Sequence, residues 1–254
     1  MVRLSASPET RFSDRVENYV RYRPGYPVDV LVLLQREAGL TASAVVADVG
    51  SGTGVFTELL LQSGAVVRAV EPNPDMRGAA ERLLSGHDRF RSVAGRAQAT
   101  TLESESVHLI TAARAFHWFN HPETRTEFTR ILKPEGQPAL IWNERRMDST
   151  PFLRAYEQLL RDHATDYAAI RHENTGSDSL ARFFTGPFAT HTFYHEQRFD
   201  FESLKGRLLS SSYAPAEGHP GHDAMTTELW QIFESSQQDG VVVVEYDTKV
   251  HLGR

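Results

Sequence analysis

Residues 45–57 read Val-Val-Ala-Asp-Val-Gly-Ser-Gly-Thr-Gly-Val-Phe-Thr, with an acid at Asp48 and glycines at Gly50, Gly52 and Gly54. A short apolar run ends in a carboxylate, crosses a glycine-spaced turn and enters a helical pattern. This is a buried strand handing over to a helix through a turn whose backbone must be approached closely. Glycine supplies the backbone freedom and the missing Cβ that such an approach needs. In doubly wound folds, ligands settle in the crevice outside the carboxyl ends of parallel strands, where such a turn lies. Two familiar loops do not fit. The dinucleotide fingerprint wants a small residue at position 55, where Val55 stands, and no Gly-Lys-Ser/Thr follows as a phosphate loop requires.

Outward from this stretch the chain alternates. Strands are expected at Ala44–Val49, Ala65–Val70, Phe90–Ala94, Val107–Ala112 and Ala139–Asn143. Helices are expected between them at Val55–Gln62, Asp75–Leu84 and Pro122–Leu132, the last ending in a Lys133-Pro134-Glu135-Gly136 turn. The Asp75–Leu84 helix would turn Met76, Ala79, Ala80, Leu83 and Leu84 inward. Short connections between such elements predict an α/β fold with a mostly parallel sheet covered on both faces. Upstream, a helix carrying Val16, Tyr19, Val20 and Arg23 on one face is stopped by Pro24, and a second starts at Pro27 and runs to Gly39. Beyond Asn143 the rhythm breaks: residues 144–188 are polar and helix-rich. His191–Phe201 and Val241–Leu252 then read as a terminal strand pair, the second entered through an Asp239-Gly240 turn, with helices at Glu202–Leu209 and Asp223–Ser236.

Composition narrows the function. At 254 residues and 40% hydrophobic content the chain reads as one domain, with a core of about 40–143 plus 191–201 and 241–252 and cap elements at 12–38, 144–190 and 202–238. A net charge of −6 argues against broad binding to nucleic acid or to an anionic membrane surface. The absence of cysteine excludes disulfides, thiolate–zinc sites and cysteine nucleophiles. No apolar run reaches membrane-spanning length and residues 1–8 lack a signal-peptide core, so the expected location is cytoplasmic. Histidines such as His219 and His222 match no metal-ligating spacing, and no metal is expected.

Read in order, Asp48-x-Gly50-x-Gly52-x-Gly54, Glu71 ending the second strand, Gly95-Arg96-Ala97-Gln98 and Arg130-Ile131-Leu132-Lys133-Pro134-Glu135-Gly136 resemble the class I S-adenosylmethionine (SAM) dependent methyltransferases. The Tyr22–Pro27 entry, Ala115-Phe116-His117-Trp118-Phe119 and Ser210-Ser211-Ser212-Tyr213 are similar to the small-molecule type-11 branch, relatives of trans-aconitate methyltransferase. The resemblance covers residues 12–143 most closely. It implies a Rossmann-like, doubly wound seven-stranded mixed sheet whose last strand is antiparallel, with SAM as cofactor and S-adenosylhomocysteine (SAH) as product.

Each site residue then has a physical reading. Glu71, about twenty residues past the loop, would accept hydrogen bonds from vicinal ribose hydroxyls. Asp48 would orient the loop or reach the ammonium of SAM, or merely satisfy loop amides. Met76 would line the adenine slot or pack as an ordinary core methionine. Arg96 departs from the family, which often carries an acid there; the Ala97 backbone and Gln98 would supply adenine contacts instead, with Ala113 lining the cofactor site at the end of strand four. Arg23, near Tyr19 and Tyr22, would meet the cofactor carboxylate. His117 would serve as a base or, as packing, exclude water. Trp118, Trp142, Arg145 and Tyr213, with Arg146 and Ser212, fall on the acceptor side; the two arginines would suit an anionic acceptor or stand as solvated charges.

The expected function is methyl transfer from SAM to a small molecule, at a carboxylate or hydroxyl oxygen. A nicotinamide-dependent oxidoreductase and a non-catalytic SAM- or SAH-binding protein are the rival readings.

Overall fold

The computed structural model describes residues 20–165, 167, 177–184 and 186–253. Most of the expected first helix, including Val16 and Tyr19, lies outside the described residues, as do residues 166, 168–176 and 185 of the expected 144–190 cap; residues 20–22 are helical. The strands are β1 (Val45–Val49), β2 (Val66–Val70), β3 (Phe90–Val93), β4 (Val107–Ala113), β5 (Leu132–Arg145), β6 (Phe188–Phe199) and β7 (Val242–Gly253). The helices are α1 (Val28–Glu37), α2 (Val55–Leu61), α3 (Pro74–Leu83), α4 (Pro122–Ile131), α5 (Pro151–His163), α6 (Ser177–Phe183), α7 (Phe201–Leu209) and α8 (His222–Ser236).

The strands form one sheet in the order β3-β2-β1-β4-β5-β7-β6. The first five run parallel, and β7 is antiparallel to both of its neighbours. The chain therefore builds outward from β1 to β3, then returns to lay β4 on the other side of β1. That reversal opens a crevice at the carboxyl ends of β1 and β4, the place where open α/β sheets bind ligands.

Strand periodicity explains the layers. Val46, Leu109 and Ile141 belong to the core shared with Leu34 of α1 and Leu60 of α2. Their chain neighbours Ala47, Ile110 and Leu140 belong to the opposite core, shared with Phe128 of α4 and Phe183 of α6. Successive strand residues point to opposite faces, so a run apolar at every position needs helices on both sides. A third core packs Leu153 of α5, Leu204 of α7 and Leu229 of α8 against Val244 and Tyr246 of β7.

Two expectations need correction. The Lys133–Gly136 turn is part of β5: Leu132 pairs with Val107 and Gln137 with Leu109, so the additional residues are absorbed as a bulge inside the strand. Asp239 and Gly240, with φ of 52° and 76°, make the expected tight turn from α8 into β7. The antiparallel β6–β7 pair is joined through α7 and α8, as the expected helices between them imply. On α3, Leu83 faces outward at 54% exposed while Leu84 is buried.

Leu140 is fully buried and pairs with Ala112 on one side and His251 on the other. Leu140→Ala is expected to cost about 2–5 kcal/mol of stability. Urea unfolding should show a lower midpoint with an unchanged slope; an unchanged midpoint would mean that the sheet centre is not tightly packed.

Candidate functional site

The glycine loop hangs from the tip of β2. Gly50 and Ser51 donate their N–H groups to the Val70 carbonyl at 2.8 and 3.2 Å, and Gly52 donates to Glu71 Oε2 at 2.9 Å. The other Glu71 oxygen accepts from the Asn73 N–H at 2.9 Å, and Asn73 in turn caps α3 by accepting from Asp75 and Met76. Gly50 has φ +71°, and a Cβ there would stand 2.5 Å from the Ala115 Cβ, so the loop presses against the segment after β4. Gly54, with φ +88°, opens α2; a Cβ there would meet Leu84 at 2.7 Å. The third glycine is thus a packing position rather than part of a ligand wall.

Asp48 lies wholly inside the protein. It accepts from Thr57 Oγ1 at 2.6 Å and Thr111 Oγ1 at 2.8 Å, joining α2 and β4 beneath the loop. Its partners are hydroxyls, not loop amides. Burial raises its pKa to about 6, partly opposed by those two hydrogen bonds. Burial also raises the pKa of Glu71, opposed by the Asn73 and Gly52 N–H groups and by the charge of Arg77.

Above the loop lies a cavity of about 510 Å³, within the range of small-ligand sites. Asp48, Gly50, Gly52, Glu71 and Met76 line its strand side. Ala97 and Gln98 reach it from a turn closed by paired backbone bonds between Arg96 and Ala99, at 3.2 and 3.0 Å. Ala113 and Trp118 complete the expected residues found there. Arg96 lines it too, where the resemblance would place an acid.

The remaining expected residues stand elsewhere. Arg23 donates to the Ser210 carbonyl at 3.0 Å, and its near neighbour Tyr26 lines the cavity instead. His117 is in the short turn Phe116–Trp118, its ring 4.9 Å from that of Trp118, and is not on the cavity wall. Trp142 is buried between Phe116 and His251, with ring centroids 6.1 and 5.4 Å away. Arg145 is no solvated charge: its Nη2 meets Glu157 at 2.5 Å and the Tyr167 hydroxyl at 3.1 Å. Arg146 pairs with Asp247 at 2.8 Å at the half-exposed surface. Tyr213 stacks edge-on against Tyr167, 5.1 Å away.

Sequence reasoning passed over Ser51 and Thr53, which lie between the glycines. Their hydroxyls are buried on the cavity lining with no hydrogen-bond partner among the described residues. Residues between loop glycines were the available signal. Arg114, on the wall with φ 56°, gave none, because nothing in an arginine announces a left-handed backbone.

This order of strands, with a crevice over a glycine loop and an acid at the next strand tip, is a Rossmann-like fold. Residues 47–140 match the family described as "Methyltransferase domain". A methyltransferase-like protein of Schizosaccharomyces pombe is 32% identical over 156 residues, 61% of this chain and 59% of that protein. The chain thus spans about three-fifths of the length of that relative. Two solved structures share the fold. One is a candidate Type II methyltransferase from Anaeromyxobacter dehalogenans, with TM-score 0.68 and 22% identity over 92% of this chain and 98% of that one. The other, a candidate S-adenosyl-L-methionine-dependent methyltransferase from Methanococcus maripaludis, has TM-score 0.55 and 21% identity over 72% and 84%. No described helix is long and apolar enough to cross a membrane.

The titration of Asp48 has a defined sign. Its folded pKa of about 6 lies above the ordinary 3.8, so the folded chain holds a proton that the unfolded chain has lost. The resulting stability is fully present below 3.8 and is lost as pH rises through 6. Unfolding free energies of the native chain and of Asp48→Asn should therefore diverge, the native gaining about 1 kcal/mol on going from pH 7 to pH 5. A pH-independent difference between the two would show that Asp48 does not titrate in this window.

Proposed function

We propose that this protein transfers the methyl group of SAM to a small-molecule acceptor, at an oxygen of an acid or a hydroxyl. The carrying observation is Glu71, a buried carboxylate fixed by the Gly52 and Asn73 N–H groups at the edge of the cavity. Each of its oxygens takes one of those bonds and keeps capacity to accept another. That suits two adjacent sugar hydroxyls.

The other walls fit the same ligand. The orphaned Ser51 and Thr53 hydroxyls offer partners to an amino-acid end, since a buried hydroxyl left unpaired is costly. Met76, Pro72 and Ala97 make an apolar slot suited to a purine face, with Gln98 able to donate and accept at its rim. Asp48 places a carboxylate on the lining that would favour a cationic group.

When bound, SAM supplies an electrophilic methyl on a sulfonium, and SAH is the product. The chain's own part is alignment and exclusion of water. Trp118 and Phe119 wall the cavity beyond β4, with Phe116 fully buried behind them. His117, off the cavity wall, supports them as packing. We read the segments that follow β5, together with the residues before α1, as the elements that choose the acceptor.

Calorimetric titration with SAH and with NAD, and radiolabelled methyl transfer into a metabolite pool, test this reading. SAH binding without NAD binding, followed by label uptake, is expected; NAD binding alone would sink it. Glu71→Ala should weaken SAH binding by about 1.5–3 kcal/mol, and unchanged affinity in that variant would remove the sugar role. His117→Gln should leave turnover within about tenfold. A thousandfold loss there would instead make it the general base.

A further inference from the structure

Arg114 stands where the backbone of the cavity wall is strained. It follows directly on β4 with φ 56°, in the left-handed region that a long side chain rarely adopts. Its N–H donates to the Ile141 carbonyl at 2.8 Å, one step beyond the pairing of Ala113 with Ile141. Its chain neighbour Ala115 abuts the glycine loop, since a Cβ on Gly50 would stand 2.5 Å from the Ala115 Cβ. Sheet and loop therefore hold this backbone between them. A glycine would take the same conformation at no steric cost, yet the chain carries an arginine. Backbone strain of this kind collects at ligand clamps and active sites.

The side chain itself is not engaged. Among the described residues, four charged ones line the cavity: Asp48, Glu71, Arg96 and Arg114. Asp48 is bonded to Thr57 and Thr111, and Glu71 to the Gly52 and Asn73 N–H groups. The Arg114 guanidinium has no hydrogen bond or ion pair among the described residues. A guanidinium carries five N–H donors and no acceptor, so the partner it lacks is an acceptor, preferably an anion.

Its place along the sheet says which part of a ligand it meets. With strands in the order β3-β2-β1-β4, the segments after β3 and after β4 lie three strand spacings apart, about 14 Å. Arg96, Ala97 and Gln98 follow β3, and Glu71 follows β2. A nucleoside seated on those residues leaves its other end over β1 and β4. Arg114 and the unpaired hydroxyls of Ser51 and Thr53 line the cavity there. Arg23, the arginine expected from the sequence to meet a carboxylate, donates to Ser210 and is not on this wall.

We propose that Arg114 receives the carboxylate of the cofactor's amino-acid end, with Ser51 and Thr53 as neutral partners beside it. The assignment rests on the methyltransferase reading above and adds a specificity to it: a tail carrying a carboxylate is selected over one carrying an amine alone. A guanidinium fork matches a carboxylate in shape as well as charge. The strained backbone then has a purpose. It sets a fixed cation at the tip of β4, held by the sheet rather than by a free loop.

The test compares ligands that differ in this one group. SAH, its decarboxylated analogue with an aminopropyl tail, and methylthioadenosine are titrated by calorimetry into the full chain. The native chain should prefer SAH to the decarboxylated analogue by about tenfold or more, the worth of a charged hydrogen-bonded pair. Arg114→Gly and Arg114→Asn suit the left-handed backbone and should melt close to the native chain. Both should bind SAH about tenfold more weakly, with the other two ligands within about threefold, so that the preference disappears. Arg23→Met should keep the preference. No preference in the native chain, a preference that survives in both Arg114 variants, or its loss in Arg23→Met would each overturn the assignment. So would a lowered melting temperature in both variants with all three ligands weakened alike, which would mark the side chain as structural. A native chain that binds neither SAH nor methylthioadenosine would count against the methyltransferase reading instead.

Discussion

The fold and the site both depend on the seam between β1 and β2. The turn after β1 does not hold itself in place. Two of its N–H groups bond to the last carbonyl of β2, and a third bonds to the carboxylate of Glu71 just beyond it. Parallel pairing from Val45 with Val66 to Val49 with Val70 sets the register that makes this possible. A slip of one residue would carry Glu71 away from Gly52 and turn both strands' side chains to the wrong faces. The alternating buried residues that hold the register for packing therefore also hold it for the site. Asp48 locks the same seam from below through the hydroxyls of Thr57 and Thr111.

What could be read from the sequence divides along the same seam. The turn, Glu71, Met76 and the Ala97-Gln98 pair follow closely on strands whose direction the apolar runs predict, so local pattern was enough to place them on one cavity. The exceptions are informative. Gly54 looked like a third ligand glycine, but it faces Leu84, and only the packing of α3 on α2 reveals that. Lys133 to Gly136 has the composition of a turn, yet the parallel pairing of β5 on β4 continues past it and forces those residues into a bulge.

The buried group around Arg145 and Arg207 was hardly legible, for a plain reason. Arg145, Glu157, Arg207 and Tyr246 come from four separate elements, and only the placing of β7 against β5 assembles them. No short spacing joins residue 145 to residues 207 and 246. An arginine before a polar stretch reads as solvated until its partner is known, Glu157 twelve residues on for Arg145 and Asp247 101 residues on for Arg146. Helical periodicity could suggest that Arg207 lies near the apolar side of α7, as its neighbours Leu204 and Leu208 are buried. It could not show that the guanidinium bonds to the hydroxyls of Tyr246 and Ser211.

The two regions carry opposite charge, and this bears on how the reading fits together. The cavity holds Asp48 and Glu71, two carboxylates whose ionisation burial resists. A cation beside them lowers that resistance, so a sulfonium and an ammonium are favoured there over a neutral thioether. Arg207 and Arg145 place positive charge on the far side, Arg145 already paired with Glu157. Under the proposed function the donor's positive charge is lost in the reaction. The field of the two carboxylates would then loosen its hold on the spent donor.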